Sequence, residues 1–353
     1  MNDKKRVLLT GATGFVGSHI VEGLLKGTNW EIVTLDRLSR TAKNGYDRLR
    51  DIDAFDNKRV FRFQHDLNMP IGEGLRKEIG HIDYVLHVAS ESHVDRSITD
   101  PVPFCLNNVN ITLMMLEFAR DKKADGDAVE KFLYFSTDEV YGTAPEGIFY
   151  KEGDRFNAGN PYAASKAAAE CFVTAYANTY KLPCIITNTM NIIGERQDPE
   201  KYFPLVINKL LDGEKLFIHA DPTKTKAGKR HYLHARNITA ALIFIFEQTT
   251  EVLDPEDASL GRFNIVGERE YDNEEFALAI ADEVKKLRPE VSDLDYELVD
   301  FHSSRPGHDM RYGLSGDKLK SIGFVYPVTV EESIRRVVEW TLREDNKKWL
   351  GRN

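Results

Sequence analysis

Cysteine is scarce in this sequence, and the scarcity excludes two kinds of protein. The chain has three cysteines in 353 residues, and Cys105, Cys171 and Cys184 stand far apart in apolar surroundings. This spacing matches neither a disulfide framework nor a metal site, so we expect buried structural thiols and no bound metal. A reducing compartment such as the cytoplasm fits this composition.

Long apolar runs and dense positive charge are also missing. No stretch approaches the roughly 20 apolar residues that cross a bilayer, and the opening MNDKKRVLLTG lacks the apolar core of a signal peptide. The formal net charge is −9, whereas proteins that bind nucleic acid or anionic membranes concentrate lysine and arginine. A basic cluster from Lys224 to Arg230 is short. We therefore expect a cytoplasmic protein whose partner is neither nucleic acid nor a membrane.

Short apolar runs alternate along the chain with longer amphipathic segments. The runs are RVLLT, EIVTLD, RVFRFQHDL, YVLHVA, KFLYFST and CIITNT. Such alternation is typical of βαβ units, in which helices cover both faces of a parallel sheet. After about residue 188 the pattern gives way to segments punctuated by proline and glycine. We predict an α/β fold with a doubly wound parallel sheet in residues 1–188. A smaller α/β substrate-binding domain would occupy residues 189–353, with segments that return to the first domain.

A glycine-rich turn, LLTGATGFVGSHIVEGLL, follows the first apolar run. Gly11, Gly14 and Gly17 lie between a strand and a helix, where backbone N–H groups can approach a pyrophosphate. The next strand ends in Asp36, whose carboxylate can accept hydrogen bonds from a ribose 2′-hydroxyl and repels a 2′-phosphate. This pattern predicts a Rossmann-type NAD site. A tight turn that binds nothing is the alternative interpretation of the glycines.

Neighbouring residues bear on the choice of cofactor. Arg37 and Arg40 follow Asp36 and keep NADP open, because arginine can pair with a 2′-phosphate. Asp66 and Leu67 follow the third strand and are candidates for holding the adenine edge. A polar strand end is the alternative for that pair.

A tyrosine and a lysine stand four residues apart in GNPYAASKAAAECF. On a helix, Tyr162 and Lys166 share one face, and a nearby ammonium stabilises a phenolate and lowers the tyrosine pKa. Together with the glycine-rich turn and with Thr137 upstream, the pair predicts a base that works near neutral pH.

Two adjacent acids follow Thr137 in the segment FSTDEVYG. Burying a charge without a partner is costly, so Asp138 and Glu139 at the end of a buried strand require an explanation. Adjacent carboxyl groups with diverging pKa values suit a general acid and a general base in one site. A solvated strand terminus is the alternative.

The chain resembles the extended short-chain dehydrogenase/reductase superfamily over nearly its whole length. Segments similar to the nucleotide-sugar 4,6-dehydratases are ASESHVDRSITDP, FSTDEVYG, NPYAASKAAAE, DPEKYFPLVI and RPGHDMRYG. The resemblance implies an NAD-dependent lyase that converts an NDP-glucose, with dTDP or UDP as the leading nucleotides, to an NDP-4-keto-6-deoxyhexose. Sister epimerases usually carry other residues in place of the acid pair.

The resemblance also implies a role for each catalytic residue. Tyr162 takes the proton of the 4-hydroxyl, oriented by Thr137 and Lys166, while C4 is oxidised. The resulting ketone acidifies the C5 proton, which Glu139 removes while protonated Asp138 gives its proton to the departing 6-hydroxyl. The hydride then returns to C6, so NAD ends the cycle as it began.

Further ligand contacts follow from the resemblance alone. Phe15, Val16 and Ala89 join the cofactor-binding residues. Contacts to the sugar nucleotide would come from residues near the hexose, the ribose and the diphosphate. They are His93, Asn191, Arg230, Asn264 and Arg305. The alternatives are a satisfied loop histidine, surface arginines and a strand-end asparagine.

The chain departs from the family where the base is bound. It has NIIGE where the family usually has NNYGP, FIHA where a Pro-Ile-Tyr-Gly-like run is usual, and KRHYLHARN in place of an Arg-Asp-Trp segment. Thymine, uracil and another pyrimidine therefore remain open.

The same residues leave two other functions open, and two apolar helices bear on the oligomeric state. An NDP-sugar 4-epimerase would keep the glycine turn, Tyr162 and Lys166 without needing the acid pair. A non-catalytic NAD-sensing or scaffold protein would keep the glycine turn and could lose the triad Thr137, Tyr162 and Lys166, which is intact here. The segments VPFCLNNVNITLMMLEFARD and YAASKAAAECFVTAYANTY carry more apolar surface than one sheet face needs. By resemblance we predict a homodimer built on these helices; burial within one chain is the alternative.

Overall fold

The computed structural model describes residues 4–37, 45–53, 55–300 and 310–352. The strands in these ranges are β1 (Arg6–Thr10), β2 (Glu31–Asp36), β3 (Val60–Gln64), β4 (Tyr84–His87), β5 (Lys131–Thr137), β6 (Cys184–Thr189), β7 (Asn191–Ile193), β8 (Leu216–Ala220), β9 (Lys229–His234), β10 (Arg262–Ile265), β11 (Glu270–Asp272) and β12 (Tyr296–Asp300). The helices are α1 (Phe15–Gly27), α2 (Gly45–Arg50), α3 (Glu73–Ile79), α4 (Val94–Thr99), α5 (Pro101–Ala124), α6 (Pro161–Tyr180), α7 (Tyr202–Asp212), α8 (Ala235–Gln248), α9 (Asn273–Leu287), α10 (Asp317–Ser321) and α11 (Val330–Thr341). Two 3-10 helices span Asp138–Tyr141 and Glu344–Leu350.

Seven of the strands form one sheet in the order β10-β6-β5-β4-β1-β2-β3. Every pair of neighbours in it is parallel. The strand order reverses between β1 and β4, and a crevice at such a switch point is where open α/β sheets bind ligands. This arrangement confirms the predicted doubly wound parallel sheet.

The central strands are buried on both faces, which explains their unbroken apolar runs. In β1, Val7 and Leu9 pack into the apolar core under α1 and α8, while Leu8 points to the opposite core under α5 and α6. All three side chains are fully buried. The sheet is therefore a rigid base from which the loops at its carboxyl edge project.

The chain after β6 builds two smaller sheets, β11-β9-β7 and β12-β8. A third apolar core, formed wholly by residues after position 192, lies among these strands and helices α7, α9 and α11. Two segments return to the large sheet, since β10 is its edge strand and α8 packs on α1. The domain division at residue 188 stays a prediction.

Helix α5 and the cysteines qualify two expectations from the sequence. By length and composition alone α5 could cross a membrane, a test that the core helix of a soluble protein also meets. Its residues Met115, Leu116 and Phe118 are buried against the sheet, so we interpret it as a core helix. Cys184 is buried as expected and Cys105 is half-buried, but Cys171 is exposed on α6, which corrects the expectation of burial for that thiol.

Candidate active site

A cleft of about 450 Å³ opens at the carboxyl edge of the large sheet. Its walls come from the ends of β1, β2, β4, β5 and β6, from the N-terminal turns of α1 and α6, and from residues 189–201. This volume lies in the range of small-molecule sites. All the residues predicted to bind the cofactor or to catalyse line it: Gly11, Gly14, Phe15, Val16, Gly17, Asp36, Asp66, Leu67, Ala89, Thr137, Asp138, Glu139, Tyr162 and Lys166.

The glycine turn leaves space that a side chain would fill. Gly11 has a φ of +72°, and a Cβ atom there would lie 2.9 Å from the Cα of Ala89. A Cβ on Gly17 would collide with the carbonyl group of Gly11. Helix α1 begins directly after Gly14, so its unpaired N–H groups face the turn. These features fit the pyrophosphate of a dinucleotide.

The cofactor side of the cleft is held by carboxylates that accept local hydrogen bonds. Asp36 Oδ2 accepts from the Thr13 backbone N–H at 3.2 Å and from the Thr13 hydroxyl at 2.6 Å. Asp66 Oδ1 accepts from the backbone and side-chain amides of Asn68 at 3.0 and 3.1 Å. The glycine turn is thus tied to the end of β2, where a ribose would lie. A carboxylate at this position fits the ribose 2′-hydroxyl of NAD.

Tyr162 and Lys166 project from the first turns of α6. The helix is capped by Asn160, whose side-chain oxygen accepts from the Ala163 N–H at 2.8 Å. Lys166 Nζ donates to the carbonyl of Phe135 at 2.7 Å and lies 4.3 Å from the centre of the Tyr134 ring. Burial lowers the pKa of Lys166 to about 7.

The pKa of Tyr162 differs from the sequence expectation. Burial, followed by the charge of Glu139, raises it well above its ordinary value, while a hydrogen bond with Thr137 opposes the shift. The expected lowering by Lys166 is not seen, because its ammonium is directed to the carbonyl of Phe135.

Asp138 is a buried acid with no cation within ion-pair distance among the described residues. Its side chain is 5% exposed. Oδ1 accepts from the Thr137 hydroxyl at 2.9 Å, and Oδ2 is buried without a hydrogen-bond partner in the described part of the chain. Burial and the neighbouring Glu139 raise the pKa of Asp138 to about 7, against smaller opposing effects of Thr137 and Arg230.

Glu139 has different surroundings, although it is the next residue. It is half-buried, and its Oε2 accepts from the Asn160 side-chain amide at 2.9 Å and from the Tyr312 hydroxyl at 3.2 Å. Donors of this kind stabilise the ionised form of a carboxyl group. The two neighbouring carboxyl groups therefore differ in their surroundings, since only that of Glu139 accepts two side-chain hydrogen bonds from other segments.

Asn160 and Tyr312 were missed as functional residues at the level of sequence. Both stand in segments singled out there, GNPYAASKAAAECF and RPGHDMRYG, but neither side chain was assigned a role. The folded chain brings Tyr312 beside Glu139 from far along the sequence, and no local spacing signals that contact.

The predicted substrate residues fall into two groups. His93 and Asn191 line the cleft, and His93 Nε2 lies 3.2 Å from Glu200 Oε1 across it. Arg230 is 9% exposed on β9 and donates to the carbonyl of Met310 at 2.9 Å. Its charge still reaches Asp138, although it is not among the residues that line the cleft.

Asn264 lies in the sheet and not on the wall of the cleft, and its role as a substrate contact stays a prediction. This residue is fully buried in β10, and its amide donates to the carbonyls of Tyr150 at 3.2 Å and Ser315 at 3.1 Å. These bonds hold the edge of the sheet, whereas Oδ1 is buried without a hydrogen-bond partner in the described part of the chain. Arg305, like Arg40, lies outside the described residues.

Comparisons with known proteins agree with this geometry. Residues 7–261 match the family described as NAD dependent epimerase/dehydratase family. The chain is 33% identical to the dTDP-D-glucose 4,6-dehydratase of Mus musculus, over 98% of this chain and 90% of that one. It is also 33% identical to dTDP-glucose 4,6-dehydratase 1 of Escherichia coli, over 98% and 94%.

Two solved structures have the same fold. The dTDP-glucose 4,6-dehydratase of Streptomyces venezuelae, solved with NAD and TYD bound, has a TM-score of 0.78 and 30% identity, covering 98% of each chain. The UDP-glucose 4-epimerase of Thermus thermophilus, solved with NAD, has a TM-score of 0.77 and 28% identity, covering 95% of this chain and 98% of that one. Fold similarity alone therefore does not separate the two reactions.

Proposed function

The chain belongs to the NAD dependent epimerase/dehydratase family, and from that premise we propose that it is an NDP-hexose 4,6-dehydratase. The proposal rests on one observation: two neighbouring acids share the cleft in different surroundings, Asp138 buried with a raised pKa and Glu139 accepting hydrogen bonds from Asn160 and Tyr312. An epimerase oxidises and re-reduces the sugar at C4 and has no use for such a pair. The substrate is an NDP-glucose, with dTDP-glucose favoured by the named relatives.

The first step concerns the 4-hydroxyl of the sugar. Tyr162 accepts the hydroxyl proton as its phenolate, so the pKa that burial raises in the structure must fall when substrate and NAD bind. The Thr137 hydroxyl is hydrogen-bonded with Tyr162, and we propose that the Lys166 ammonium, now on the Phe135 carbonyl, turns to orient the 4-hydroxyl. NAD, when bound, supplies the acceptor of the C4 hydride and later its donor to C6. The ketone left at C4 makes the adjacent C5 proton acidic.

The elimination step belongs to the acid pair. Glu139, whose Oε2 accepts hydrogen bonds from Asn160 and Tyr312, removes the C5 proton. Asp138, kept neutral by burial, gives its proton to the 6-hydroxyl, which leaves as water. The C5–C6 bond becomes a double bond, and C5 is reprotonated when C6 is reduced. General acid and base groups of this type typically contribute about 10²–10⁴-fold each.

His93, Asn191, Arg230 and Asn264 are proposed as contacts to the sugar nucleotide, together with Arg305. His93 and Asn191 both line the cleft, His93 from the loop after β4 and Asn191 from the segment of residues 189–201. Arg230 lies close enough to influence the charge of Asp138. An arginine fork suits diphosphate oxygens, so we expect its replacement to raise the KM for the nucleotide more than it lowers kcat.

The experiment that tests the function is a panel of NDP-hexoses incubated with the purified chain and NAD. The dehydratase yields a product lighter than its substrate by one water, whereas a 4-epimerase yields an isomer of unchanged mass. Recovery of every sugar unchanged would favour a non-catalytic sensor. The same panel identifies the base.

We also propose a homodimer in the cytoplasm. Val102 and Leu106 on α5 and Phe172 on α6 are large apolar side chains at the surface, exposed by 66%, 64% and 38%. Pairing of α5 and α6 from two chains would cover them. Light scattering should give twice the chain mass, and Leu106→Glu should reduce it to that of one chain; a monomeric mass for the parent would remove the proposal.

A further inference from the structure

Arg37 is a residue of the cleft whose type suits NADP better than NAD. It directly follows Asp36 at the end of β2, where an arginine can pair with the 2′-phosphate of NADP. In the structure its guanidinium is directed elsewhere. Nη2 donates to Glu91 Oε1 at 2.5 Å and Nη1 donates to Asn107 Oδ1 at 3.3 Å.

Glu91 reaches Arg37 from the loop after β4, whose backbone is fixed independently of the Glu91 side chain. The Glu91 N–H donates to Asn108 Oδ1 at 2.8 Å, and Asn108 Nδ2 donates to the Glu91 carbonyl at 2.9 Å. Asn108 is 1% exposed and also donates to Ser165 Oγ at 3.0 Å. The loop therefore keeps its place when only the charge of Glu91 is removed.

Arg37 is tied at its other nitrogen to the residues predicted to hold the adenine. The Asn107 oxygen that accepts from Arg37 also accepts from Asn68 Nδ2 at 3.0 Å. Asn68 in turn donates to Asp66 at 3.1 Å. The chain of contacts orients the guanidinium on both sides. Arg37 and Glu91 both line the cleft that Asp36 lines, so the ion pair stands beside the ribose position.

We propose that Glu91 is a specificity-determining residue for the cofactor: it holds Arg37 in an ion pair and so withholds the arginine from a 2′-phosphate. Asp36 repels the phosphate, and Glu91 neutralises the cation that could otherwise compensate. The Arg37 and Glu91 side chains are 35% and 23% exposed, so solvent reaches the pair and a phosphate could compete once the carboxylate charge is gone. The inference rests on NAD as the cofactor of the proposed function.

The test measures equilibrium binding of NAD⁺ and NADP⁺ to the full chain by calorimetry, without any sugar nucleotide. The result of this binding measurement therefore does not depend on whether the chain catalyses the dehydratase reaction. Glu91→Gln should tighten NADP⁺ binding about tenfold, the effect of one newly available charge-assisted contact, and leave NAD⁺ binding within about twofold. High salt should reduce the gain, because the new contact is electrostatic.

Two variants separate this account from a general effect of the substitution. Glu275→Gln makes the same change in another arginine pair, Arg269–Glu275 at 2.8 Å on the surface of α9, and should leave both dissociation constants unchanged. The double variant Arg37→Gln with Glu91→Gln should lose the NADP⁺ gain, since the gain requires the released guanidinium.

Arg37→Gln alone keeps the proposal testable even if Glu91→Gln does not fold. Because the guanidinium of Arg37 is already paired with Glu91, removal of Arg37 should leave the dissociation constant for NADP⁺ within about twofold of the parent value. A tenfold loss would mean that Arg37 serves the 2′-phosphate in the native protein and would overturn the proposal. So would a Glu91→Gln variant that binds NADP⁺ no better than the Glu275→Gln control.

Discussion

Asp138 and Glu22 are both carboxylic acids with less than a tenth of their surface exposed, yet their pKa values move in opposite directions. Burial raises the pKa of each. At Asp138 the adjacent Glu139 adds to the effect, and the pKa rises to about 7. At Glu22 the cations Arg196 and Lys26 outweigh burial, and the pKa falls to about 2.

Glu22 belongs to a paired charge cluster between α1 and the segments around β7 and β9. Arg196 Nη2 lies 2.6 Å from Glu22 Oε2. Glu195 lies 2.5 Å from Arg236 and 3.0 Å from His234. Each buried carboxylate there has an arginine partner, whereas Asp138 in the cleft has a like-charged neighbour and no cation within ion-pair distance among the described residues. We conclude that a buried carboxylate paired with a cation stabilises the fold, whereas a buried carboxyl group without a cation indicates a catalytic role.

The largest expected effect is on the acid pair. Glu139→Gln preserves the shape and removes the base, so C4 oxidation should still occur while C5 deprotonation stalls. We expect dehydration to fall by about 10²–10⁴-fold and the 4-keto sugar to accumulate. Exchange of the C5 proton with solvent deuterium, followed by mass spectrometry, measures the loss.

The paired charge cluster supplies the matched control. Glu22→Gln is the same chemical change at a buried acid, and it should leave C5 exchange near the parent rate while it lowers stability. Equal loss of exchange in both variants would mean that Glu139 acts only through the fold.

The next effect is on stability in the paired charge cluster. Arg196→Met keeps much of the buried volume but leaves Glu22 with Lys26 alone. Breaking a buried ion pair on one side costs about 3–5 kcal/mol, and we expect a loss near 3 kcal/mol in denaturant unfolding. Lys26→Met, at a side chain that is 50% exposed, should cost less than about 1 kcal/mol. Similar small losses for both would contradict the contrast.

The smallest expected effect is a gain in stability, not a loss, and it concerns Asp138. Its pKa is raised from 3.8 to about 7, so the folded state binds more protons than the unfolded state in that window, and stability falls as pH rises through it. A shift of this size corresponds to about 4 kcal/mol, part of which an unpaired buried amide would offset. Asp138→Asn should therefore be more stable than the parent by about 2 kcal/mol near neutral pH. Thermal unfolding across the acid range should show the gain vanish below about pH 4.

Local patterns were sufficient to predict the large sheet, the glycine turn and the acid pair. Gly11 follows a strand, Asp36 ends one and Tyr162 lies in the first turn of a helix, so their spacing along the chain already places them at the carboxyl edge of the sheet. Adjacency predicted that the two carboxyl groups differ in pKa, and only the resemblance implied that Asp138 is the protonated one.

Contacts between distant segments could not be predicted. Tyr312 reaches Glu139, and Arg37 meets Glu91, only once the fold is formed. The segments NIIGE and KRHYLHARN, which depart from the family pattern, are distant in sequence, but their residues Glu195 and Arg236 form an ion pair in the folded chain. Asn264 stays undecided, because a strand-end asparagine and a ligand contact look alike in sequence.

The protonation state of Asp138 is the measurement that tests the central claim most directly. Infrared difference spectra between the parent and Asp138→Asn, recorded over a pH series, isolate the carbonyl band of a protonated carboxylic acid at this position. We predict that the band is present in mildly acidic solution and disappears as pH rises through about 7. A spectrum in which Asp138 is already ionised at about pH 5 to 6, above the ordinary pKa of an aspartate, would contradict the account. The assignment of acid and base in the cleft would then have to be reversed.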